Sequence, residues 1–164
     1  MPNWAEGTLK IRGTKEDMKN FLKGALRPCE DVGAQIRVAL GIDEKVKQNE
    51  VKIEDDEDYF QMETKNGFYI AGSRRAFIEE NIDWWFNDTE TEFLVLNLKQ
   101  AWGVDVEPYA ELSKKYNVDL KIYVFECGME FNQDIEIHKG TIIRNNEITF
   151  ESYNWDCIFP RMGG

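Results

Sequence analysis

The sequence predicts an α+β fold, an antiparallel sheet with helices on one face. Strand-like stretches recur at residues 8–12, 92–98 and 121–125; the first alternates polar and apolar residues, and the others are rich in aliphatic, β-branched and aromatic side chains. Two segments place apolar residues at helical spacing, Met18, Phe21, Leu22, Ala25 and Leu26 in one and Tyr109, Leu112 and Tyr116 in the other. Each helical segment follows a strand-like one, and several strand signals crowd the carboxyl end.

Taken in order, Thr8-Leu9-Lys10-Ile11-Arg12 reads as a half-buried strand ended by Gly13. Thr14 is placed as N-cap of the first helix, with Asp17 where a capping box carries Glu or Gln, and Pro28 lies beyond its end. Residues 29–34 read as irregular, and residues 35–40 fit a short strand or one helical turn. The block Glu54-Asp55-Asp56-Glu57-Asp58 is expected to stay solvated and mobile through like-charge repulsion. Residues 59–64 and 68–72 flank Lys65-Asn66-Gly67, and the Asn-Gly pair predicts a hairpin between them. Residues 73–82 read as a helix or an extended arm leading into Asp83-Trp84-Trp85-Phe86. Those adjacent aromatics fit either a hydrophobic plug over the sheet or an exposed anchor for a partner.

The strand at 92–98 leaves through Ala101-Trp102-Gly103; Pro108 opens the second helix and Asn117 ends it. A strand from Lys121 to Phe125 then turns through Glu126-Cys127-Gly128 into another beginning at Met129. Residues 134–139, 141–143 and 147–151 predict a closing meander, with Asn145-Asn146 between its last two strands. The order strand, helix, insertion, strands, helix, strands predicts a split βαβ (ferredoxin-like) topology. It is expected as one domain over residues 1–164, with an acidic insertion at about 29–90 and a C-terminal β meander. The name describes topology alone: three dispersed cysteines cannot supply the four thiolates of an iron-sulfur cluster.

Thirty-one acidic residues against twenty basic give a formal net charge of -11. Such a chain is repelled by nucleic acid and anionic membranes, so the expected partner is a protein with a basic surface; solubility alone is the plainer reading of the charge. Three widely spaced cysteines argue for a reducing compartment, and the absence of a signal-like apolar region or a run of ~20 apolar residues argues for the cytoplasm. No phosphate loop, HExxH, GxSxG or CxxC is present, so no enzymatic activity is expected. Cys29, Cys127, His138 and Cys157 together form a donor set suited to a structural zinc ion, although free cysteines are also common core residues. Tyr59, Phe68, Tyr123 and Phe125 are assigned to sheet packing, since a base-stacking surface needs a cationic groove beside it.

Met1-Pro2-Asn3-Trp4, Leu9-Lys10-Ile11-Arg12-Gly13, Ala101-Trp102-Gly103, the Pro108-Tyr109 helix start and Phe125-Glu126-Cys127-Gly128-Met129-Glu130-Phe131 resemble a family of phage and plasmid proteins with a ferredoxin-like domain and no settled activity. The resemblance spans residues 1–26 and 92–155 and leaves the middle unmatched. Cys127 departs from the family pattern, which has proline there, so any role of the thiol is particular to this chain. The resemblance implies a mobile-element protein in a bacterial host, and from that context comes the functional expectation. It is a non-catalytic inhibitor of a host defence protein, an anti-CRISPR protein that blocks DNA access on the basic surface of a type II CRISPR nuclease. The expected contacts are Glu54, Asp55, Asp56, Glu57, Asp58, Asp83, Trp84, Trp85, Asp88 and Glu90. The alternatives are a structural or housekeeping phage protein that self-associates through a sheet edge, and a metal-dependent hydrolase.

Overall fold

A computed structural model describes residues 2–30, 37, 39–42, 50–87 and 89–149. The chain runs β1 (Trp4–Gly13), α1 (Lys15–Ala25), β2 (Leu26–Pro28), β3 (Lys52–Asp55), β4 (Tyr59–Glu63), β5 (Phe68–Ile70), β6 (Ala76–Ile78), β7 (Ile82–Trp85), β8 (Glu92–Ala101), α2 (Val106–Tyr116), β9 (Asp119–Glu126), β10 (Phe131–His138) and β11 (Thr141–Thr149).

Alternation along the long strands decides which face is buried. In β1, Ala5, Leu9 and Ile11 are inaccessible while Glu6 and Arg12 are exposed; β8 repeats this with Leu94, Leu96 and Leu98 against Phe93, Val95 and Asn97. β9 does the same with Leu120, Ile122 and Val124. β1 pairs antiparallel with β8 on one side and β9 on the other, in a register that puts these side chains on one face. Met18, Phe21 and Leu22 of α1 and Tyr109 and Leu112 of α2 are buried in the same core. Each such aliphatic or aromatic side chain contributes about 1.5–3 kcal/mol on burial. The Thr14 hydroxyl accepts the Asp17 N–H at 3.2 Å, as the capping pattern predicted. Where the helices meet, Gly24 is required: a Cβ there would lie 1.9 Å from the Tyr116 hydroxyl oxygen. The Tyr116 ring stands edge-on to Phe21 at 5.9 Å.

The α+β class and the two helices match the expectation, but the sheet is larger than a simple split βαβ sheet. Eight strands lie in the order β11-β10-β9-β1-β8-β6-β5-β2, and β3-β4-β7 form a second, three-stranded sheet. The strand after α1 does not join β8. It pairs with β5, and β5 and β6 stand between it and β8.

Three local expectations are corrected and one open alternative is decided. The Asn66-Gly67 turn exists, with Gly67 at φ +72°, but β4 and β5 belong to different sheets and the turn carries the chain from one to the other. Gly67 sits where a Cβ would meet the Ile78 carbonyl oxygen at 2.7 Å, so the turn packs on β6 instead of closing a hairpin. Of the helix and the extended arm expected over residues 73–82, the structure has the second from Ala76 on: β6 leads toward β7, because Ala76 and Ile78 bury alternate side chains in the large sheet. The strand after Cys127 starts at Phe131, two residues later than expected, since the buried Glu126 carboxylate accepts the N–H groups of Gly128 (2.8 Å) and Met129 (2.6 Å) and holds them in the turn. β11 runs unbroken through Asn145 and Asn146, which pair with Ile135 and Asp134. The strand of residues 147–151 is therefore the end of β11 as far as Thr149. Residues 35, 36 and 38 of the predicted short element lie outside the described residues. Among the described residues no helix is long and apolar enough to cross a membrane.

Candidate interaction surface

The acidic block is fastened to the first helix. Lys15, Lys19 and Lys23 recur every four residues, which puts them on one face of α1. Lys19 and Lys23 each reach Asp55 at 2.8 Å, and Lys15 pairs with Asp58. Lys19 Nζ also donates to the carbonyls of Asp56 and Glu57 and lies 5.5 Å from the Phe86 ring centroid. The backbone of the turn closes on itself, with the Asp56 N–H donated to the Tyr59 carbonyl and the Phe86 N–H to that of Asp58. The block stays solvent-exposed as expected, but Asp55 and Asp58 are paired with the helix lysines. The like charges tolerate proximity because three ammonium groups face them. The hydrogen bonds from Lys19 and Lys23 hold the Asp55 carboxyl below the usual carboxylate range.

Beyond the turn, the period of two divides the aromatic segment. Phe60 and Met62 of β4 and Ile82 of β7 are buried, and Trp84 packs against the same core. Register puts Tyr59 opposite Trp85 and Gln61 opposite both Asp83 and Glu54, so these residues share the outward face of the small sheet. The two side chains part: Trp84 packs on the core as a plug, and Trp85 is turned outward with 69% of its surface free. Tyr59 packs on Trp85 with ring centroids 4.7 Å apart and planes tilted by 39°. Partial desolvation, the charge and hydrogen bond of Asp83, and the charges of Glu54 and Glu63 raise the Tyr59 phenol. An exposed indole beside a tyrosine and three carboxylates suits an ammonium or guanidinium group, through the ring face and through charge.

Of the ten residues named from sequence, Glu54, Asp83 and Trp85 come together on this face. Asp55 and Asp58 are engaged with α1, Asp56 and Glu57 are exposed in the turn, and Trp84 is turned inward. Glu90 is exposed in the connection to β8, and Asp88 lies outside the described residues. Sequence reasoning missed Tyr59, assigned to sheet packing, and Glu63. The alternation Tyr59-Phe60-Gln61-Met62-Glu63 was the signal that both face outward.

The structure does not bring the described members of the proposed zinc set together. Cys127 is exposed in the turn after β9, while His138 ends β10 opposite Asp119, roughly 23 Å away by strand rise. Cys29 follows β2 at the far edge of the sheet, five strand spacings, or about 24 Å, from β9. Its thiol is pushed up by burial and by the charge of Glu79. The His138 ring nitrogen Nε2 instead meets the Glu136 carboxylate at 2.8 Å. Among the described residues no group of three or more His, Cys, Asp or Glu side chains is placed to hold a metal ion, and Cys157 lies outside them.

Comparison of the chain with protein-family models, with curated proteins and with solved structures returns no match.

Proposed function

We propose that this chain is a non-catalytic binding protein whose working surface is the outward face of the three-stranded sheet. The observation that carries the reading is the exposed Trp85, stacked on Tyr59 among Asp83, Glu54 and Glu63. Lys or Arg side chains of a basic partner bind there, their cationic ends between ring and carboxylate. Clamping of residues 55–58 onto α1 supports this by presenting the small sheet rigidly. The antiparallel order β9-β1-β8, with a helix following β1 and another following β8, supports reading the scaffold as a split βαβ core enlarged at both edges. The resemblance to phage proteins makes a nucleic-acid-handling nuclease of a host defence system, a type II CRISPR nuclease in particular, the first partner to try.

The test is titration of the full chain with an oligo-arginine peptide and with a type II CRISPR nuclease free of guide RNA, at several salt concentrations. Binding should weaken steeply with salt and fall by about tenfold or more in Trp85→Ala and in the Asp83→Asn, Glu54→Gln pair. Affinity unchanged in both variants rules out this face. A second reading, self-association through a sheet edge, draws on β11. Among the described residues it pairs only with β10, and Ile142 and Ile143 are 37% and 54% exposed. Concentration-dependent oligomers abolished by Ile143→Lys would favour it.

A further inference from the structure

On the open face of the large sheet lies a second site of opposite character. Lys10 of β1 and Lys121 of β9 are direct cross-strand partners near the middle of the sheet. Like charges so placed repel one another, and among the described residues neither lysine has a carboxylate within ion-pair distance. Two residues along, Arg12 is tied through Nε (3.1 Å) and Nη2 (2.7 Å) to the Asp119 Oδ2 atom, and its Nη1 makes no hydrogen bond among the described residues. Glu136, the cross-strand neighbour of Lys121 on its other side, is occupied by His138 at 2.8 Å and Arg144 at 3.7 Å. Phe93, directly opposite Arg12 and 49% exposed, lies with its ring centroid 5.9 Å from Lys10 Nζ. These side chains line a groove of about 130 Å³.

We infer that this groove binds a mononucleotide, the phosphate held between the Lys10 and Lys121 ammonium groups and the base stacked on Phe93. Charge complementarity argues for the phosphate. A dianion between two ammoniums relieves their mutual repulsion, and Arg12 stands on the same face two residues along β1. The ring argues for the base, since Phe93 is 49% exposed and a base takes the place over its ring that the Lys10 ammonium holds at 5.9 Å, while that ammonium turns to the phosphate. Two carboxylates, Asp119 and Glu136, line the same groove, but Asp119 is paired with Arg12 and Glu136 with His138 and Arg144, and the acidic face of the small sheet lies on another sheet, where exposed charges are screened beyond about 8 Å.

The experiment is titration of the full chain with AMP, UMP, adenosine, inorganic phosphate and a short single-stranded oligonucleotide, followed by calorimetry and by amide shifts in β1, β8 and β9. AMP or UMP should bind at least about tenfold more tightly than adenosine or phosphate, and Lys10→Gln, Lys121→Gln and Phe93→Ala should each weaken that binding about tenfold. All three side chains are solvent-accessible, so the variants fold. In the absence of ligand Lys121→Gln should raise Tm, which a purely structural lysine would not do. Saturation failing with AMP and UMP at 10 mM or about that level, equal binding of phosphate and AMP, or undiminished binding by the Lys10→Gln, Lys121→Gln double variant overturns the inference. Oligonucleotide binding about a hundredfold tighter than AMP also overturns it, in favour of an extended nucleic-acid face.

Discussion

Lys19 Nζ lies 2.8 Å from Asp55 Oδ1 and joins the middle of α1 to the sheet that the acidic block builds. The lysine side chain is only 11% exposed, and its remaining donors satisfy the Asp56 and Glu57 carbonyls. One helix residue thus fixes where the aromatic, acidic face stands. Lys19→Met, which keeps the packing stem, should cost about 1–2 kcal/mol in urea unfolding, since Lys23 still pairs with Asp55. Amide exchange should speed up most in β3 and β4.

The same contact predicts a pH dependence. Asp55 has a folded pKa below its unfolded value, so its contribution to stability is present above about pH 4 and is lost as the pH falls through the lowered value. Urea midpoints measured at pH 7 and pH 3 should differ more for the wild type than for Asp55→Asn. Equal acid loss in the two proteins would contradict the assignment.

Gly24 faces the Tyr116 hydroxyl oxygen at 1.9 Å from where a Cβ would stand. Gly24→Ala should therefore destabilise the protein by about 1–3 kcal/mol despite the better helix propensity of alanine, because α1 and α2 must separate or Tyr116 must leave Phe21. The paired change with Tyr116→Phe should recover part of that loss, readable in thermal unfolding.

Tyr109 is fully buried and donates its hydroxyl to Gln100 Oε1 at 2.7 Å. Tyr109→Phe leaves the buried Gln100 oxygen without its donor and should cost about 1–3 kcal/mol. Burial pushes the phenol well above its ordinary value. With the folded pKa raised, the stability it contributes is full below the unfolded pKa of about 10 and lost as the pH climbs past it. The drop in urea midpoint between pH 8 and pH 11 should be smaller in the phenylalanine variant than in the wild type.

Trp84 and Trp85 should respond oppositely. Trp84→Ala removes a plug from the core and should cost about 3 kcal/mol or more, whereas Trp85→Ala, at an exposed site, should leave stability within about 0.5 kcal/mol. The fluorescence change on adding a cationic peptide should persist in Trp84→Phe and be lost in Trp85→Phe.

The sequence by itself determined the elements whose cause is local. The N-cap at Thr14, the helical stripes from Met18 and Tyr109, and the alternation of β1, β8 and β9 follow from periodicity and capping, which neighbouring residues impose. Even the outward turn of Trp85 and Tyr59 was written in a period of two. The stripe of Lys15, Lys19 and Lys23 took on meaning only in the folded chain, since nothing in the sequence said which acids it would meet. Tertiary structure alone decided that β4 and β5 part into different sheets, that β2 pairs at the far edge, that Lys10 stands beside Lys121, and that Cys29, Cys127 and His138 stay apart. Strand partnership is set by which distant apolar faces can be buried together, and that choice belongs to the whole chain.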